Sequence, residues 1–175
     1  HLRLKKKIIV SYVNIDKNGI VDLLHLEQLL SKNDHVLVSL MHGNNEIGNL
    51  LNLESVSILC SNYNALFHSD TVQTIGHYNF DLKNIKIDFL ACSAHKFHGP
   101  KGIGFLYINK DINITPLIYG GSQERNMRGG TECLYGIAGL SKAMEVAYKD
   151  LDQHHQHIYN LKQYMINQVK EKLPF

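Results

Sequence analysis

One stretch of this 175-residue chain places an amine where it could do covalent chemistry: Ser93-Ala94-His95-Lys96-Phe97-His98-Gly99-Pro100-Lys101-Gly102. The lysine follows an apolar run, Ile87 to Cys92, and precedes a Gly-Pro turn. A lysine held at a strand end, beside a histidine and small residues, is suited to form a Schiff base with an aldehyde cofactor. Its small neighbours also let a phosphate approach the backbone. Upstream, Asp70 offers a carboxylate. A pyridine-based cofactor is an electron sink only while its ring nitrogen stays protonated, and a carboxylate beside that nitrogen raises its pKa. Lys96 could then shuttle protons at a substrate's α-carbon. Gln73 and Asn45 could donate hydrogen bonds to a phenolate oxygen on the ring, and Ser93 and His95 could bind the phosphate.

Those side chains need elements to hold them. Apolar runs predict strands over Ile8–Val13, Val36–Met41, Ala65–Ser69, Ile87–Cys92 and Ile103–Ile108. Asp16-Lys17-Asn18-Gly19 reads as a turn. Asp22 reads as the N-cap of a helix with Leu23, Leu26, Leu29 and Leu30 at helical spacing. Asn52 caps a second, with Val56, Leu59, Cys60 and Tyr63 on one face. Two strand–helix–strand units in succession predict an α/β fold, a mainly parallel sheet flanked by helices. Ligands of such sheets gather at the carboxyl ends of strands. Four polar clusters lie there: His42–Glu46, Asp70–Gln73, Ser93–Lys96 and Tyr119–Glu124. Beyond them Ile137, Leu140, Met144, Ala147, Leu151, Ile158, Leu161, Met165 and Val169 keep a 3–4 spacing. That predicts a long helix, broken near Asp150, leaving the sheet toward a second domain.

Composition narrows the classes. Hydrophobic residues make up 44%, as in a globular protein. No apolar run approaches the roughly 20 residues that span a bilayer, so no membrane role is expected. No signal-peptide pattern opens the chain, no initiator methionine is present, and the sequence reads as an internal fragment or an incomplete gene product. Net charge is +2, too weak to argue for nucleic acid, and Lys5–Lys7 reads as the wet lead-in to a strand. Three cysteines without CxxC spacing argue against a disulfide framework or zinc site, and a reducing, cytoplasmic setting fits.

Several residues have ordinary readings. Cys60 lies on an apolar helix face and Cys92 ends a buried strand, so both read as core, and Cys133 reads as packing. Asp70 could serve as a helix N-cap as well as a ring partner. Asn44 and Asn45 suit a turn. His68 reads as a packed strand histidine, and His154, His155 and His157 as a solvated helix face, with no metal site expected. Gly99-Pro100-Lys101-Gly102 lacks P-loop spacing. Arg125 and Arg128 suit phosphate or substrate binding and loop support equally well.

Four blocks, taken in order, resemble a known family. They are His-x-Asn-Asn-Glu-x-Gly, Asp-x-x-Gln, Ser-x-His-Lys-x-x-Gly-Pro-Lys-Gly-x-Gly, and Gln-Glu-x-x-x-Arg-x-Gly-Thr. The pattern is similar to the cysteine desulfurases, class V members of the fold-type I pyridoxal-phosphate enzymes, from about Asp16 to Leu173. The resemblance implies an incomplete pyridoxal-phosphate-binding large domain over residues 1–150, and the start of a C-terminal small domain over 151–175. It assigns Lys96 to the cofactor's aldehyde, Asp70 to the pyridine nitrogen, and Gln73 and Asn45 to the phenolate oxygen. Ser93 and His95 would hold the phosphate. Thr131 would reach the phosphate of a neighbouring subunit's cofactor, which implies a homodimer. The implied reaction converts L-cysteine to L-alanine, with sulfur leaving as an enzyme persulfide for iron–sulfur cluster or tRNA thiolation pathways. A scaffold or sulfur-acceptor protein would be the partner. A ring-stacking histidine, a phosphate-binding threonine, the nucleophilic cysteine and a carboxylate-binding arginine would lie outside this chain, which is thus expected to be inactive alone. The rival readings are another class V enzyme, such as a selenocysteine lyase or aminotransferase, and an inactive product that only dimerises or docks on a scaffold.

Overall fold

The computed structural model describes residues 8–173, so Lys5–Lys7 lies outside the described residues. The chain sorts into two compact units. The first comprises His1–Gln73, Phe80–Cys92 and Leu106–Asn113, and the second Thr74–Asn79, Ser93–Phe105 and Ile114–Phe175.

In the first unit, α1 (Leu23–Leu30) starts where the Asp22 carboxylate accepts the His25 backbone N–H at 3.0 Å. Such a cap satisfies one of the donors that a helix start leaves open. Asn52 does the same for α2 (Leu53–Asn62), accepting from Ser55 N–H at 3.0 Å. Strands β1 (Leu37–Met41), β2 (Leu66–Asp70), β3 (Phe89–Ser93) and β4 (Gly104–Ile108) form one sheet in the order β1-β2-β3-β4. β1–β2 and β2–β3 pair in parallel. β4 runs back antiparallel: Ala94 N–H donates to Ile103 O at one end and Asn109 N–H to Asp88 O at the other. The sheet is therefore mainly parallel, as expected.

Leu26, Leu30, Val38, Leu53, Val56, Cys60, Ala65, Phe67, Ile87 and Leu90 form the core between helices and sheet. Phe67 is fully buried, and burial of such a ring contributes roughly 1.5–3 kcal/mol. Buried Asp88 prolongs the β2–β3 pairing with its side chain. Its N–H donates to Phe67 O at 2.9 Å, and its carboxylate accepts Phe67 N–H at 2.8 Å.

One expected strand is absent. Ile8–Val13 forms no ladder, and Ile9 is 90% exposed. β-branched residues supply propensity, but a strand exists only through pairing. Here the chain is tied to α1 instead, Asn14 N–H donating to the His25 ring at 2.9 Å.

The second unit holds a 3-10 turn (Ala94–Phe97), a second one (Glu124–Asn126), α3 (Leu134–Lys149) and α4 (Leu151–Lys172). The helices break at Asp150, which takes φ −120° and ψ 32°. α3 packs on the first 3-10 turn and its downstream loop through two glycines on one face. A methyl at Gly139 would sit 2.5 Å from Pro100 Cγ, and one at Gly136 would meet Ile103 Cβ at 3.4 Å. His154, His155 and His157 are exposed on α4. No helix among the described residues is long and apolar enough to cross a membrane.

Candidate functional site

The first unit presents three of the expected site residues, Asn45, Asp70 and Gln73, after its strands. After β1 the chain folds back through the Gly43–Leu50 bridge. Asn44 builds this turn, its side-chain oxygen accepting the N–H groups of Glu46 at 2.9 Å and Ile47 at 3.0 Å. Asn45 is left on the exposed side, its amide donating to Glu46 Oε1 at 2.7 Å. Buried His42 stacks edge-on against Phe80 at 5.3 Å, and loss of water holds its pKa below 6.5. Its N–H donates to Asp70 O at 2.9 Å, which joins the ends of β1 and β2.

Asp70 is the last residue of β2, in register with Met41 and Ala91. One carboxylate oxygen accepts Val72 N–H at 2.9 Å, so Asp70 caps a turn, and the other makes no hydrogen bond among the described residues. Thr71 locks the position, donating through its hydroxyl to Ala91 O at 2.8 Å. Gln73 follows, half-buried, its amide making no hydrogen bond among the described residues.

The second unit gathers Ser93, His95 and Lys96 on one turn. A 3-10 turn superposes residues three apart. Buried Ala94 and Phe97 fill its inner face, which leaves His95 and Lys96 exposed. Ser93 occupies the N-cap position without a capping bond, and its hydroxyl makes no hydrogen bond among the described residues. His98 closes the turn in the left-handed conformation, and its N–H and that of Gly99 both donate to Ala94 O. Thr131 is exposed on the loop before α3. Arg128 supports that loop, donating to Gly129 O at 2.8 Å, and Gln123 accepts Gly130 N–H at 3.0 Å.

The segment 74–79 of the same unit ties this turn to the helices. His77 Nε2 bonds the Lys96 carbonyl at 3.1 Å, and a carbonyl only accepts, so Nε2 carries the hydrogen. Phe97 packs so tightly on Gly76 that a methyl there would lie 2.6 Å from Phe97 Cβ. On the far side the Tyr148 hydroxyl accepts Gly76 N–H at 3.2 Å and donates to Tyr78 O at 3.0 Å. His155 Nε2 donates to His77 O, and its ring meets Tyr78 edge-on at 5.3 Å. Sequence reasoning missed His77, Tyr148, His155 and Asp88 as positioning residues. Their bonds join distant segments, and only the Gly136-x-x-Gly139 spacing on α3 carried a local signal.

None of the three cysteines is an exposed thiol. Cys60 and Cys92 are buried and Cys133 half-buried. Burial, reinforced by Asp88, pushes the Cys60 thiol up to about 11. Among the described residues no group of His, Cys, Asp and Glu could hold a metal ion.

A model of the aminotransferase class-V family matches residues 1–174. The cysteine desulfurase IscS of Dictyoglomus turgidum is 43% identical over 164 residues, covering 94% of this chain and 41% of that protein. The structure of a NifS-like protein from Rickettsia africae superposes with a TM-score of 0.92 at 31% identity, covering 99% of this chain and 50% of that one. A second NifS-like structure gives 0.90 at 41% identity, covering 96% and 46%. The chain thus spans about two fifths of the length of the curated relative.

Proposed function

We propose that this chain, which belongs to the aminotransferase class-V family, supplies cofactor-holding residues of a cysteine desulfurase. The observation that carries the reading is Lys96, an exposed amine on the 3-10 turn that follows β3, flanked by the Ser93 hydroxyl, which makes no hydrogen bond among the described residues, and the exposed His95 ring. The donor set fits pyridoxal phosphate, the cofactor of this family. An amine, a hydroxyl and an imidazole lie within four residues, and one Asp70 oxygen and the Gln73 amide remain uncommitted. When bound, that cofactor supplies an electron sink for the bonds at a substrate's α-carbon.

The chain's own residues take these roles. Lys96 holds the cofactor through its amine and moves the proton at the substrate α-carbon. Asp70 keeps the ring nitrogen protonated. Gln73 and Asn45 donate to the phenolate oxygen, which for Asn45 means releasing Glu46. Ser93 and His95 bind the phosphate, and Thr131 reaches the phosphate in the second subunit of a homodimer. The substrate is L-cysteine and the products are L-alanine and a persulfide sulfur, handed on for iron–sulfur cluster assembly or tRNA thiolation through a scaffold or acceptor protein in the cytoplasm. We assign the sulfur-accepting thiol outside this chain, because Cys60 and Cys92 are buried, Cys133 is half-buried at the start of α3, and the Cys60 thiol is hard to ionise. The break at Asp150 is assigned to the boundary at which a large domain over 1–150 gives way to a small domain.

The test is direct. The full chain is incubated with pyridoxal phosphate, reduced with borohydride, and mapped by mass spectrometry. Label on Lys96 that disappears in Lys96→Ala is expected, and an unlabelled wild-type chain sinks the assignment. In the full-length enzyme Asp70→Asn is expected to keep the label and lose α-proton removal.

A further inference from the structure

We infer that His77 is a positioning residue for Lys96, acting through the lysine's own backbone. The inference rests on the reading of Lys96 as the cofactor-holding lysine, and adds a residue which that reading does not use.

The Lys96 side chain is exposed and makes no hydrogen bond or ion pair among the described residues. What aims it is the backbone from which it projects. That backbone is held from inside by Ala94 and Phe97 and closed by His98 and Gly99 on the Ala94 carbonyl. None of those contacts touches the Lys96 peptide group. The bond from His77 Nε2 to Lys96 O, at 3.1 Å, does. It fixes the carbonyl direction and with it the ψ angle of Lys96, so the Cα–Cβ direction is set relative to a second segment of chain.

A donor on a loose loop would position nothing, and His77 is not on one. Its own carbonyl takes the His155 ring N–H from α4. The residues on either side, Gly76 and Tyr78, are bridged by the Tyr148 hydroxyl from α3. The Phe97 ring presses on Gly76 from the lysine side. The segment 74–79 is thus a strap clamped to the α3–α4 junction at three points, presenting one imidazole N–H to the lysine's carbonyl. A small displacement of a reactive amine is costly to covalent chemistry, so a backbone anchor of this kind bears on the site rather than only on the fold.

The experiment compares wild type, His77→Ala and His77→Gln as full chains, with two readouts. Glutamine can place its amide nitrogen near the position of Nε2, so it keeps the donor and loses the ring. The first readout needs no cofactor: hydrogen exchange of the His98 and Gly99 amides, expected about fivefold faster in His77→Ala. The second is the half-saturating concentration of pyridoxal phosphate for borohydride-fixed label on Lys96, expected about fivefold higher. His77→Gln is expected to restore both. Unchanged exchange and unchanged half-saturation in His77→Ala overturn the inference, as does a loss that glutamine fails to rescue. If His77→Ala does not fold, Tyr148→Phe loosens the same strap by one hydroxyl and decides in its place, by the same changes or their absence. If wild type takes up no cofactor, the reading of Lys96 fails separately, and the exchange readout alone decides the role of His77.

Discussion

The two units hold their candidate residues by different means. Asp70 is placed by backbone: its strand pairs on both sides, and its carbonyl takes the His42 N–H. Such pairing uses groups every residue carries, so it tolerates changes of side chain. Lys96 is placed by particular side chains, its neighbour Phe97 packing on Gly76 and the distant His77, Tyr148 and His155 holding the strap. A placement of that kind is lost with single atoms. The lesson is that the placement of Asp70 should be robust and that of Lys96 fragile.

That contrast can be broken most forcefully at Phe67. Phe67→Ala empties a fully buried site and is expected to cost about 3–5 kcal/mol in denaturant unfolding, with exchange opening along β1, β2 and β3. Gly76→Ala strikes the other side. Its φ of +82° and the clash with Phe97 make about 2–4 kcal/mol the expected cost. The loss should be concentrated in exchange at residues 94–99 and in labelling of Lys96, with β1–β2 pairing preserved. Equal loosening in both places would erase the contrast. Ser69→Ala sharpens it. The Ser69 hydroxyl is buried without a hydrogen-bond partner among the described residues, so its removal is expected to gain about 1 kcal/mol in urea unfolding. The smallest effect is that of pH at His42. Burial holds its pKa below 6.5, so unfolding lets the ring take up a proton. Stability should be full above pH 6.5 and fall as pH drops below it, and His42→Phe should flatten that fall in urea midpoints.

Much of the first unit was legible in the sequence because its determinants are local. Asp22 and Asn52 cap the helices they were expected to cap. The strands lie within one or two residues of the apolar runs. In the second unit the helix break falls at Asp150, as the spacing predicted. Ile8–Val13 failed because a strand needs a partner that propensity does not supply. Lys96, Ser93 and His95 were legible as one cluster after a strand, and Asp70 as a strand-end carboxylate. What holds the Lys96 turn was not. The contact of His77 with Lys96 spans 19 positions and that of Tyr148 with Gly76 spans 72, and no pattern along the chain marks such pairs.

The clamp on segment 74–79 also has a consequence in time. During synthesis Asp70 can join its sheet soon after β3 leaves the ribosome. His77 waits for His155, 78 positions later. At ordinary elongation speeds that is a delay of roughly 4–16 s, during which the lysine-bearing turn already exists but its strap has nothing to fasten to. The nascent chain therefore completes the strand end that carries Asp70 before it can strap the turn that carries Lys96.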